Sequence, residues 1–243
     1  MQKFQVIVAD PPWSFKDTLT MSDVARGAAA NYKVMTLADI KNLPIKDFAD
    51  PNGSVLALWV PSSMLQEGLD TMKSWGYAHK QTYVWVKIKK DPLAKIRKIF
   101  FDVWNDGSKK LANHTEKSWK GYLKNIGSQL SILDFTKGKI FVQDMLSFGM
   151  GRLFRQSHEI CLIGTNNNKV YKHLTNKSQR SVSFAENLKH SAKPENLQDS
   201  LDIMFPKGKK MELFARRRRP GWECLGNEIC NGEDITVSLA KLI

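Results

Sequence analysis

Apolar runs recur along the chain at short intervals: FQVIVAD (4–10), GSVLALWV (53–60), QTYVWVK (81–87), HEICLIG (158–164) and KKMELFAR (209–216). Their near-continuous apolar character predicts strands covered on both faces. Between the second and third, Met64, Leu65, Leu69, Met72 and Trp75 recur at helical spacing, with Ser62 or Ser63 placed to cap the start and Gly76 at the stop. KPENLQDSLDIMFPKG reads as a second helix, with Leu197, Leu201 and Met204 on one face and Pro206 at its end. Helices between buried strands predict an α/β fold with a parallel, helix-covered sheet of the doubly wound type. Such sheets bind ligands beyond the carboxyl ends of their strands.

One stretch departs from this alternation. Residues 88–146 carry two predicted helices, DPLAKIRKIFFDVWNDG and TEKSWKGYLKNIGSQLSILDF, within an otherwise single domain spanning 1–243. Leu93, Ile96, Phe100, Val103 and Trp104 form an apolar stripe, and eleven Lys or Arg face four Asp or Glu between Lys87 and Lys124. The pattern fits a basic insert: a solvated helical hairpin, a dimer contact or a nucleic-acid clamp (Lys95, Arg97, Lys98, Lys109, Lys110). Over the whole chain the net charge is +13 and the pI about 9.6, an excess that points to an anionic partner, most often nucleic acid. The three cysteines, Cys161, Cys224 and Cys230, lack zinc-knuckle spacing and are too few for a disulfide framework. The first residues lack an apolar segment of signal-peptide length and no run approaches a membrane span, so a cytoplasmic protein without membrane contact is expected.

The junction VIVADPPWSF (6–15) carries the candidate chemistry. Prolines fix φ and leave their carbonyls free to accept. Asp10-Pro11-Pro12-Trp13 is therefore a stiff ledge of acceptors beside a flat ring, suited to a planar, amine-bearing ligand. Read from the residues alone, it is also an ordinary strand end and turn with Trp13 in the core.

Asp10-Pro11-Pro12-Trp13 resembles the catalytic tetrapeptide of the N6-adenine methyltransferases of the MT-A70 family. LALWVPSSMLQEGLDTMKSWGY, YVWVK, FGMGRLFRQSHEICLIG, HSAKPE and MELFARRRRPGWECLGNEI resemble the family's further segments, in its order. The resemblance implies a Rossmann-like fold with the catalytic strand ahead of the cofactor strand, S-adenosyl-L-methionine as methyl donor, and adenine in DNA as substrate. RNA, or a non-catalytic role as a nucleic-acid-binding subunit, are the alternatives, and a homodimer fits the family's habit of pairing.

The same resemblance implies roles for particular residues. Asp10 and the Pro11 carbonyl accept the two amine hydrogens, and Trp13 stacks on the base. Lys193 pairs with the methionyl carboxylate, Asn227 and Glu228 hold the ribose hydroxyls, and Arg216 lies near the cofactor. Arg217, Arg218 and Arg219 face phosphate or solvent. Arg152, Arg155 and His158 flank the target base. Asp234 and Ile235 stand in for an adenine contact that larger relatives make from a preceding strand.

Overall fold

The computed structural model describes residues 2–14, 35–92, 94, 145–149, 153–187 and 192–243. Apart from residues 91, 92 and 94, the helices expected over residues 91–135, and with them Lys95, Arg97, Lys98, Lys109 and Lys110, lie outside the described residues, as does Arg152. Contacts divide the chain into two compact units, Met1–Trp85 with His158–Ser183 and Leu188–Ile243, and Val86–Ser157 with Phe184–Asn187.

The sheet has seven strands: β1 (Val6–Ala9), β2 (Val55–Val60), β3 (Ala78–Ile88), β4 (His158–Thr165), β5 (Val182–Glu186), β6 (Lys210–Leu213) and β7 (Trp222–Leu225). Their order is β5-β3-β4-β2-β1-β6-β7. β1 lies parallel to both β2 and β6, with Ile7 opposite Leu56 on one side and Met211 on the other. β6 runs parallel to β7. β4 runs antiparallel to β2, which corrects the expectation of a parallel sheet throughout. The architecture is the expected Rossmann-like α/β fold.

Every residue of β1 and β2 is buried. One face carries Ile7, Ala9, Leu56, Leu58, Leu162 and Met211 in the main core cluster. Helices α1 (Leu37–Asn42), α2 (Leu65–Ser74) and α4 (Ile235–Ala240) cover it through Ile40, Met72 and Leu239. Helix α3 (Asn196–Met204) buries Leu197 and Leu201. Each such side chain contributes roughly 1.5–3 kcal/mol on leaving water. Trp75 of the α2 C-cap donates its indole N–H to the Ile40 carbonyl at 3.0 Å, tying α2 to α1.

The expected stop at Gly76 is met: its φ is +83°, a left-handed value that glycine adopts at no steric cost. The expected serine cap is not. A 3-10 turn, Ser62–Met64, precedes α2, and Met64 holds the N-cap position without a side-chain bond. Among the described residues no helix is long and apolar enough to cross a membrane. All three cysteines are free.

Candidate active site

β1 and β6 are adjacent and parallel, yet the chain leaves β1 toward β2 on one side and β6 toward β7 on the other. This is a topological switch point, and its crevice opens beyond the carboxyl ends of both strands. Asp10 follows β1 directly. Phe214, Ala215 and Arg216 follow β6, and Phe214 is held at φ +61°. A bulky residue in that region costs of order 1–3 kcal/mol, a strain found most often where a ligand is met. At Gly226, just past β7, an added Cβ would lie 2.3 Å from the Ala215 carbonyl oxygen, so only glycine lets the two turns close on each other.

The Lys193 ammonium donates to Asp10 Oδ2 at 2.8 Å and Oδ1 at 3.0 Å, and pairs with Glu159 Oε2 at 3.2 Å. It also lies 5.6 Å from the centroid of Trp59, a cation–π contact. The Lys193, Asp10 and Glu159 side chains are only 15%, 23% and 25% exposed. Burial pushes the Asp10 carboxyl above its ordinary value of 3.8, and the ammonium pulls it only part of the way back. Burial also works against the Lys193 charge, but its two carboxylates outweigh burial and the net shift is upward. The cluster thus holds two carboxylates on one firmly protonated ammonium. Cys161, buried nearby, is kept in its thiol form by burial and by the Asp10 charge.

The prolines are partly engaged. The Pro11 carbonyl accepts from Trp13 N–H at 2.8 Å, and the Pro12 carbonyl from Met35 N–H at 3.2 Å. A carbonyl carries two lone pairs, so Pro11 retains acceptor capacity. Trp13 differs from expectation. It is 4% exposed, belongs to the core cluster and donates its indole N–H to the Trp59 carbonyl at 2.9 Å. Its ring pins the ledge to β2 rather than lying open for stacking.

Lys193, expected at the methionyl carboxylate, turns its donors to Asp10 and Glu159. Glu159 was missed by sequence reasoning; an acid after His158 at a strand start has no distinguishing local signal.

Beyond β6 and β7, Arg216 Nε stands 3.6 Å from Glu228 Oε1, and Asn227 is exposed next to it. The rest of the arginine run is held by protein partners. Arg217 pairs with Glu195 and donates to the Lys193 carbonyl at 3.3 Å. Arg218 donates to the Cys230 carbonyl at 3.1 Å. Arg219 gathers Glu195, Asp199 and Asp202. Asp234 and Ile235, expected at an adenine, have structural work instead: Asp234 caps α4 by accepting from Thr236 N–H at 2.9 Å, and Ile235 is buried in the core. His158 is exposed at the start of β4, and Arg155 is exposed in the other unit.

A sulfonium amino acid joined to a nucleoside needs carboxylates for its cationic parts, a cation for its carboxylate and a polar pair for its diol. Asp10 and Glu159, Arg216, and Asn227 with Glu228 form such a set at the switch point, so these residues fit that group.

A Rossmann-like sheet with a carboxylate–proline ledge at its switch point defines a methyltransferase-type site, and comparison with known proteins narrows the class. The MT-A70 family profile matches residues 4–108 and 103–228, and the chain belongs to the MT-A70 methyltransferase family. It is 24% identical over 93% of its length to the probable N(6)-adenosine-methyltransferase MT-A70-like of Oryza sativa, taking in 23% of that protein. It is 22% identical to human METTL3, an N(6)-adenosine-methyltransferase catalytic subunit, over 93% of this chain and 28% of that one. To the type II methyltransferase M.MunI of Mycoplasma it is 24% identical, over 94% of this chain and 78% of the other. The chain thus spans about a quarter of the adenosine methyltransferases and most of the type II enzyme.

Proposed function

We propose that the protein transfers a methyl group from S-adenosyl-L-methionine to the exocyclic N6 amine of adenine in DNA. The observation that carries this reading is Asp10, set at the β1 carboxyl end of the switch point and gripped by Lys193. DNA is favoured over RNA because a match that takes in 94% of this chain and 78% of the other is to a type II methyltransferase. A non-catalytic role is disfavoured by the intact Asp10-Pro11-Pro12-Trp13.

The bound cofactor supplies a methyl group already activated by positive sulfur. The protein must make the substrate amine nucleophilic, because an exocyclic amine delocalises its lone pair into the ring. Asp10 and the Pro11 carbonyl accept the two amine hydrogens, turn the lone pair outward and offset the charge that grows on nitrogen. The raised Asp10 pKa makes its carboxylate a better resting place for the proton the amine loses. Lys193 fixes the carboxylate in one orientation, and Trp13 fixes the backbone that carries it. Holding amine and methyl in line contributes of the order of 7–11 kcal/mol in favourable cases. Arg216 takes the carboxylate of the cofactor, and Asn227 with Glu228 take its ribose. A base inside a duplex must first leave the stack.

Purified protein, incubated with labelled cofactor and with duplex DNA, single-stranded DNA or RNA of one sequence, tests the reading. N6-methyladenine in the DNA digests is expected; label confined to RNA would make it an adenosine methyltransferase of RNA instead, and no label in any arm would refute the enzyme reading.

A further inference from the structure

A cavity of about 570 Å3 opens at the opposite end of β2 from Trp59, walled by Val55, Lys80–Tyr83, Ile163, Thr165, the segment around Tyr171–Ser181, and α3. Val55 precedes Trp59 by four residues, roughly 13 Å along an extended strand. The cavity is therefore separate from the switch point, and nothing about it rests on the methyl-transfer reading. Its size falls within the range of small-molecule sites.

Three features of the wall define what fits. Lys80, Lys177 and Arg180 line the cavity, and no carboxylate does. Among the described residues the charged groups of the lining are thus all cationic. The floor is apolar, built from Val55, Ile163, Leu197, Leu201, Met204 and Phe205. Two wall residues, Tyr83 and Thr165, are each 5% exposed and carry buried hydroxyl oxygens. Ser183 lies beside Tyr83, and its hydroxyl offsets part of the rise that burial gives the phenol, which leaves the Thr165 hydroxyl as the one without a neighbour to meet it. Such a group costs about 1–3 kcal/mol while it stays unmet.

An acyl chain with an acidic head would match the floor and the cations but offer nothing to the Thr165 hydroxyl. A planar heteroaromatic ring brings nitrogen and oxygen atoms as well as an apolar face, and Tyr171, half exposed at the mouth, offers a ring to stack on. We infer that this cavity is a second binding site, for a nucleotide: base against the floor and Tyr83, phosphate on Lys80, Lys177 and Arg180. The nucleotide is either free or one residue of a strand.

Calorimetry tests this with 5′-AMP and, separately, single-stranded oligodeoxyadenylate. Saturating S-adenosylhomocysteine is present throughout. The wild type is compared with Lys177→Glu/Arg180→Glu and with Ser200→Phe, which fills the cavity from α3. Both variants are expected to lose about tenfold or more in nucleotide affinity, the scale of a charge-assisted contact, with Tm unchanged for the exposed rim pair and kcat of methyl transfer unchanged for both. Binding of AMP marks a free nucleotide; binding of the oligomer alone marks a strand. Equal affinities in wild type and the rim variant, or saturable decanoate binding without nucleotide binding, would overturn the inference. The rim variant decides the outcome if Ser200→Phe fails to fold.

Discussion

Two charge clusters sit at the two ends of one short segment, residues 193–195. At Lys193 one ammonium serves two carboxylates, Asp10 and Glu159, and all three side chains are at most a quarter exposed. Around Glu195 the charges balance: Arg217, Arg219 and Lys210 meet Glu195, Asp199 and Asp202, and Trp222 packs against the Arg219 guanidinium at 5.8 Å. The carboxylates of that second cluster are 35–60% exposed. Arg219 is planar, permanently charged and satisfied by protein alone, so it acts as a clasp between α3 and the turn before β7. The Lys193 cluster instead stores a carboxylate whose charge is disfavoured by burial, at the mouth of the switch-point crevice. Ion pairs that look alike in sequence are told apart by burial and by whether the charge is fully offset.

The comparison can be broken at several points. Asp10→Ala should lower methyl transfer by roughly 100- to 1000-fold, the cost of losing one aimed electrostatic partner, with the fold retained by circular dichroism. Near-normal turnover would remove Asp10 from the chemistry. Lys193→Met leaves Asp10 and Glu159 facing each other without a cation. Thermal or urea unfolding should show a loss of about 3 kcal/mol, the scale for breaking a buried pair, together with a large fall in turnover. Arg219→Ala should cost about 1–2 kcal/mol, as expected for several partly exposed pairs broken at once, while kcat stays within twofold or so. A kcat effect as large as that of Lys193→Met would erase the distinction between clasp and site. Asp234→Ala removes the α4 N-cap and should cost about 1 kcal/mol; a selective rise in KM for the cofactor would restore the adenine role that the structure does not give it.

The interior of the fold was legible because β1 and β2 are buried on both faces and read as unbroken apolar runs. The same burial hid the direction of β4: a strand covered on both sides carries no mark of parallel or antiparallel pairing. β5 was missed because Val182–Glu186 alternates between exposed and half-buried at the sheet edge. β7 was missed because four residues after an arginine run give too short a pattern. At the site, Asp10 and the prolines announced themselves by their position at the end of an apolar run. Glu159 did not, since its role exists only where β4 and Lys193 meet. Trp13 was misplaced for a related reason: a large ring beside a catalytic carboxylate serves equally as wall or as anchor until the carbonyl of Trp59 is seen to accept its N–H.

The proposed reaction turns on an ionised Asp10, resisted by burial and by Glu159 and steadied by Lys193, that accepts the adenine amine. The most direct test is the pH dependence of single-turnover methyl transfer to duplex DNA, in the wild type and in Glu159→Gln. Protonation of Asp10 should set the acid limb. In the wild type that limb should lie above 3.8, because the carboxyl is held above its ordinary value. Glu159→Gln removes a charge that raises the Asp10 pKa and leaves the ammonium in place. Its acid limb should therefore move to lower pH, whatever happens to the maximal rate. A wild-type limb at or below 3.8, or one that stays put in Glu159→Gln, would contradict the account.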